Sequence, residues 1–123
     1  MIYLDVDSIE FCSEEVVAEI KKRVPLMQEW KGGTDIPTNS QLYRIYIDLY
    51  LRQHPFVAKK LDLIVAQREH GQFGVPIEVY FFLTEKVWRK YEDIQSDIFD
   101  HLIAMAPEFR LHLFQRPSQP RSS

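Results

Sequence analysis

The residues best placed for chemistry are Asp97, Asp100 and His101, in the run Asp97-x-x-Asp100-His101. Positions four apart share one side of an α-helix, so a helix here sets the Asp97 carboxylate beside the His101 imidazole. Both groups ligate metals, yet a closed metal site needs three or four ligands, and no partner stands at a recognisable spacing elsewhere in the chain. A plain helix contact, about 0.2–0.5 kcal/mol, accounts for the pair without a metal. The other histidines lack companions: His54 precedes Pro55 at a helix end, His70 sits in a turn and His112 on a short strand. Cys12 is the only cysteine, so no intramolecular disulfide can form, and its neighbours Ile9 and Phe11 mark a buried residue of a reducing compartment rather than a nucleophile. There is no Gly-x-Ser-x-Gly run, and Gly32, Gly33, Gly71 and Gly74 fit neither phosphate-binding pattern. The residues therefore predict no enzyme, no metal and no cofactor.

One run imitates an RNA-binding sheet. Gly71-Gln72-Phe73-Gly74-Val75 leads into the aromatic run Tyr80-Phe81-Phe82. Pro76 interrupts the motif, no base stands between Arg68 and Lys86, and 18 acids against 15 bases give a net charge of -3. Nucleic-acid binding calls for the opposite balance. These aromatics are expected to fill a core and a contact surface.

The elements that carry these residues follow from periodicity. Ile2–Phe11 alternates as a strand with an interruption at Asp7-Ser8, and Ser13 caps a helix whose stripe is Val16, Val17, Ile20 and Val24, stopped by Pro25. Residues 31–37, with Gly32-Gly33 and Pro37, form a connector. A second helix starts near Thr38-Asn39 and ends by His54, ahead of Pro55. Its polar residues Gln41, Arg44, Asp48 and Arg52 form one stripe, so the rest must be covered on more than one side, either inside the domain or by a second subunit. Leu61–Glu69 (with Leu61, Leu63 and Val65 on one face) and Val75–Leu83 read as a hairpin around Gly71 and Gly74. Thr84 is expected to cap a third helix running to about Met105, along a stripe from Val87 and Tyr91 to Leu102, widened by Trp88, Phe99 and Ile103. Leu111–Phe114 alternates as a last strand, and 117–123 has the composition of a disordered tail.

This order predicts one α+β domain over 1–116, of ferredoxin-like β-α-β-β-α-β plan with an extra helix between the first and second strands. No run longer than eight residues is free of Asp, Glu, Lys and Arg, so these residues include no membrane helix, which needs about 20 apolar residues.

Several segments carry a resemblance. Val75-Pro-Ile-Glu-Val-Tyr-Phe-Phe82, Trp88, Tyr91 through Leu102, Pro107-Glu-Phe109 and Phe114-Gln-Arg-Pro-Ser118 resemble the C-terminal cytoplasmic domain of small-conductance mechanosensitive (MscS-like) channels. Tyr3 through Phe11, Thr38-Asn39, Tyr46-Ile47, Tyr50-Leu51 and His54-Pro55 point to the miniconductance subgroup of bacteria. The likeness covers nearly the whole chain in order, with residues 21–37 the poorest match. It implies a non-catalytic vestibule domain of an inner-membrane homo-heptamer, facing the cytoplasm, in a channel that releases ions and small solutes in hypoosmotic shock. It implies partners that are other copies of the same subunit, with Leu42, Tyr43, Tyr46 and Tyr50 as candidate subunit-interface residues. The family's pore-lining helix and β-rich middle domain have no counterpart here, which implies a fragment of a longer channel or a short homologue. The alternative from the residues alone is a free-standing ligand-binding regulatory domain of the same plan.

Overall fold

Alternation in Ile2–Leu4 turns Ile2 and Leu4 inward and Tyr3 outward, and these three residues form strand β1. The computed structural model describes residues 1–115, so the expected tail at 117–123 lies outside the described residues. Asp5 ends β1: its carboxylate accepts the Asp7 N–H at 3.0 Å and starts a 3₁₀ turn over Val6–Ser8. The strand expected over Ile2–Phe11 therefore breaks before Asp7-Ser8, and Phe11 resumes pairing only as a single bridge to Thr38.

Helix α1 spans Glu14–Arg23, capped by the Ser13 hydroxyl, which accepts the Val16 N–H. Acids in its first turn and Lys21, Lys22 and Arg23 in its last complement the helix dipole. Pro25 then opens a 3₁₀ turn over Pro25–Glu29. Helix α2, Asn39–Gln53, starts where the Thr38 hydroxyl accepts the Gln41 N–H at 3.1 Å, and it ends at His54 before Pro55.

Strands β2, Ile64–Gln67, and β3, Val75–Tyr80, form the expected antiparallel hairpin, with Ile64 opposite Tyr80 and Gln67 opposite Ile77. Both are shorter than the periodicity suggests. Leu61 stays exposed, and Leu83 rejoins only through a bridge to Val57. Gly71 and Gly74 exchange two backbone hydrogen bonds around Gln72-Phe73. Gly74 has φ +89°, and a Cβ there would stand 2.3 Å from the Leu4 carbonyl oxygen, so only glycine lets the turn lie against β1.

β1 pairs with the other edge of β3, Ile2 opposite Ile77. The expected last strand is reduced to one antiparallel bridge, Leu113 to Leu4, flanked by hydrogen bonds from Asp5 N–H to His112 and from Phe114 N–H to Tyr3. Across the sheet the order is the Leu113 segment, β1, β3, β2. β1 and β2 both run antiparallel to β3 and hence parallel to each other on either side of it. β1 and β3 bury alternate residues, so one sheet face is covered; the fold is α+β, and both α1 and α2 lie between the first and second strands.

Helix α3, Trp88–Met105, begins four residues after the expected Thr84 cap. Thr84 is instead held to Phe56, whose carbonyl accepts its N–H at 2.8 Å and its hydroxyl at 3.3 Å. Glu85 takes over locally, accepting the N–H groups of Lys86 and Val87. A 3₁₀ turn over Ala106–Phe109 follows α3 and drops Phe109 into the core beside Tyr43 and Tyr46.

Buried Asn39 joins three parts of the chain. Its Oδ1 accepts the Glu10 N–H, and its Nδ2 donates to the carbonyls of Ser8 and Arg110. The first turn of α2, the residues after β1 and the chain beyond α3 are thereby fixed to one another.

Candidate functional site

Tyr43, Tyr46 and Tyr50 recur at spacings of three and four, so α2 presents them as one column toward α3. Tyr43 donates to the Leu102 carbonyl at 2.6 Å. The Tyr46 hydroxyl lies 2.6 Å from His101 Nε2, in a hydrogen bond whose direction follows the imidazole tautomer. The Tyr50 ring stacks on His101, centroids 4.3 Å apart and planes 16° from parallel. Burial pushes the Tyr43 phenol far above its ordinary pKa, and burial followed by the neighbouring Tyr50 raises Tyr46 to about 12, so both stay protonated.

The same burial lowers the pKa of His101. His54, one turn beyond Tyr50, is lowered by burial first, then by Lys59 and His101. Its Nδ1 accepts the Phe56 N–H at 3.1 Å, which only a ring nitrogen without a proton can do. The seam is thus a joint of neutral imidazoles and phenols.

Of the four residues expected at a subunit interface, Leu42 and Tyr43 have no exposed surface in this chain and Tyr46 almost none. Phe109 lies against both tyrosines, and Gln67 of β2 receives the Ser40 hydroxyl at the start of α2. The sheet and the turn after α3 therefore cover the broad apolar surface of α2 from within. Only Tyr50, half-buried, keeps an accessible side.

The Asp97-x-x-Asp100-His101 run does lie on α3, with both carboxylates exposed and the imidazole turned toward Tyr46. Among the described residues no three His, Cys, Asp or Glu side chains converge as a metal site. Cys12 is buried, and burial, then the Glu10 charge, raises its thiol pKa, which fits an inert side chain. Of the RNA-like aromatics, Phe81 is core, and Tyr80 and Phe82 meet edge to face on the surface. Arg68, at the far end of the hairpin from them, is ion-paired with Glu78 at 3.0 Å.

Periodicity does not reveal two surface features. Between α1 and residues 31–37 lies an open groove of about 710 Å³, lined on its apolar side by Cys12, Val17, Ala18, Trp30, Ile36 and Pro37. The Lys21 ammonium is folded onto its wall, donating to the Trp30 carbonyl at 2.8 Å and lying over the indole. At the start of α3, Trp88 is 74% exposed although it falls on the broad apolar stripe. The available signal was its flanks, Lys86, Arg89 and Lys90, which no core-facing turn would carry.

A family model described as "Mechanosensitive ion channel MscS, C-terminal" matches residues 2–113. The chain belongs to this family.

No solved structure matches it. The MscS C-terminal domain is part of a mechanosensitive ion channel. The match takes in the segments of the likeness from Tyr3 to Phe109, with Phe114–Ser118 beyond its end, and it includes α1, the groove and all of α3. No helix among the described residues of this MscS domain is long and apolar enough to cross a membrane.

Proposed function

We propose that this chain is the cytoplasmic vestibule domain of a bacterial mechanosensitive channel of the miniconductance type. In this reading the channel sits in the inner membrane as a homo-heptamer and releases ions and small solutes in hypoosmotic shock. The domain is non-catalytic and acts by packing against its neighbours to enclose the vestibule. The observation that carries the reading is the family match over residues 2–113. Its surface supports it: Phe11 and Trp88, each 74% exposed, and Ile36, 68% exposed, are large apolar side chains left uncovered in a single copy. Isolated exposed hydrophobics are ordinary, but Phe11 adjoins Cys12 and Ile36 belongs to an apolar groove, and uncovered side chains grouped there are what association surfaces look like.

The test is a chimera in which residues 1–123 replace the matching domain of an MscS-family channel. The chimera should purify as a ring by light scattering and give tension-activated currents in membrane patches, and a version without the domain should assemble less completely. A chimera that stays monomeric, or a domain whose deletion leaves assembly and gating unchanged, sinks the reading.

A further inference from the structure

The structure assigns a partner to the groove between α1 and residues 31–37: we propose that it receives the Val87-Trp88 end of α3 from a second copy of the chain, so that neighbouring copies pack head to tail. The inference rests on the subunit-packing reading above and names the two surfaces that meet.

Shape is the first argument. The groove offers about 710 Å³ with an apolar wall of Val17, Ala18, Trp30 and Pro37. That is room for an indole together with the side chain before it. Trp88 is not a loose side chain, because its ring lies parallel to Tyr91, planes 3° apart and centroids 6.2 Å apart. An aromatic already held in place loses little freedom on docking, and a buried Trp contributes about 150–250 Å² of contact.

Charge is the second. Lys86, Arg89 and Lys90 surround the exposed indole, and none has an ion-pair partner among the described residues. At the groove the acids Glu14 and Asp35 are likewise unpaired. The one base of the lining, Lys21, is occupied by Trp30. Near the knob, Glu85 is turned back onto the Lys86 and Val87 N–H groups, and Glu92 lies one turn on. An apolar knob flanked by three unpaired bases thus faces an apolar groove whose rim carries two acids against Lys21. Such a rim speeds encounter and rejects wrong partners, while the aromatic centre supplies most of the affinity. Each copy carries one of each surface, and when it offers its knob to one neighbour and its groove to another the contact is heterologous, the kind that generates rings when its rotation closes.

The test mixes two single-substitution variants of the 123-residue chain, Ile36→Cys and Val87→Cys, at equal concentration under mild oxidation. Both positions are exposed, and the native Cys12 is buried. The disulfide between the two different variants should be the main product, identified by its linked peptides, with each variant alone giving far less dimer. A main product in which either variant pairs with itself means a symmetric contact and overturns the inference. In parallel, sedimentation of the unlabelled chain up to about 1 mM should show self-association that Trp88→Ala weakens about 30-fold, the loss of one strong aromatic anchor. The triple change Lys86→Glu, Arg89→Glu, Lys90→Glu should weaken it too, and mixing that variant with Glu14→Lys, Asp35→Lys should restore it. Self-association indifferent to Trp88→Ala, or a chain monomeric throughout, overturns the interface. Either result can stand beside a chimera that still assembles and gates, so the loss of this contact is distinguishable from the loss of the channel reading.

Discussion

The hydroxyl of Tyr46 stands 2.6 Å from Nε2 of His101 and ties α2 to α3. Around it lie Tyr50 on α2, Asp97 on α3, and His54 and Lys59 beyond the end of α2. The folded-state pKa values of both His101 and His54 are lowered, so unfolding takes up protons below the ordinary value of about 6.5. Stability from this joint is therefore complete above about pH 6.5 and is lost as the pH falls from there through the lowered folded values. Thermal melts should show Tm falling between about pH 7 and 5, a window above the ordinary carboxylate range. His54→Gln with His101→Gln should flatten that slope, and an unchanged slope would remove the two histidines from the account.

Tyr43 and Tyr50 occupy the same column of α2 but opposite circumstances. Tyr43 is fully enclosed against Phe109 and donates to Leu102, whereas Tyr50 is half-buried. Tyr43→Asp buries an uncompensated charge and should unfold the chain, a loss of at least ~4 kcal/mol. Tyr50→Asp forfeits ring contacts with Tyr46, His54 and His101 but leaves its carboxylate access to water, and it should cost about 1–2 kcal/mol. Urea denaturation of the two variants checks this, and equal destabilisation would mean that Tyr50 is core after all.

Much of the fold is legible because its signals are local. Ser13, Thr38 and Pro55 set helix limits within a few residues of themselves, and Gly71 and Gly74 close a hairpin between adjacent strands. What fails is decided at long range. Thr84 has the chemistry of a helix cap, but the Phe56 carbonyl, 28 residues earlier, takes its hydroxyl. Leu111–Phe114 alternates correctly, yet β1 is only three residues long and offers it a single bridge. The composition of α2 demands burial without saying by what, and the cover proves to be Phe109 and the sheet. The groove is invisible in one dimension because α1 and residues 31–37 build it together.

Asn39 should be the costliest polar residue to remove. Asn39→Leu leaves the Glu10 N–H and the Ser8 carbonyl without their partner in a closed site. Each orphaned buried group costs about 1–3 kcal/mol, so a total loss of about 2–4 kcal/mol is expected. Denaturant titration should show the midpoint fall with the slope unchanged. Asn39→Asp keeps the acceptor for Glu10 but sets a buried carboxylate against the Ser8 and Arg110 carbonyls, so at neutral pH it should cost at least as much as the leucine variant.

Gly74 and Gly71 make a matched pair, since they bond to each other across the turn. A Cβ on Gly71 meets open space, whereas one on Gly74 stands 2.3 Å from the Leu4 carbonyl oxygen and is attached to a residue at φ +89°. The backbone of β1 is the obstacle, so no side-chain rotation relieves the clash. Gly74→Ala should therefore cost about 3 kcal/mol or more, through strained backbone and a displaced β1–β3 pairing, while Gly71→Ala should stay within about 1 kcal/mol of wild type. Amide hydrogen exchange locates the damage: Gly74→Ala should speed exchange at Ile2, Leu4 and Phe114 before the hairpin amides of β2 are affected. Uniform loss of protection would mean that the turn is not held against β1, and equal stability of the two variants would rule out the close approach itself.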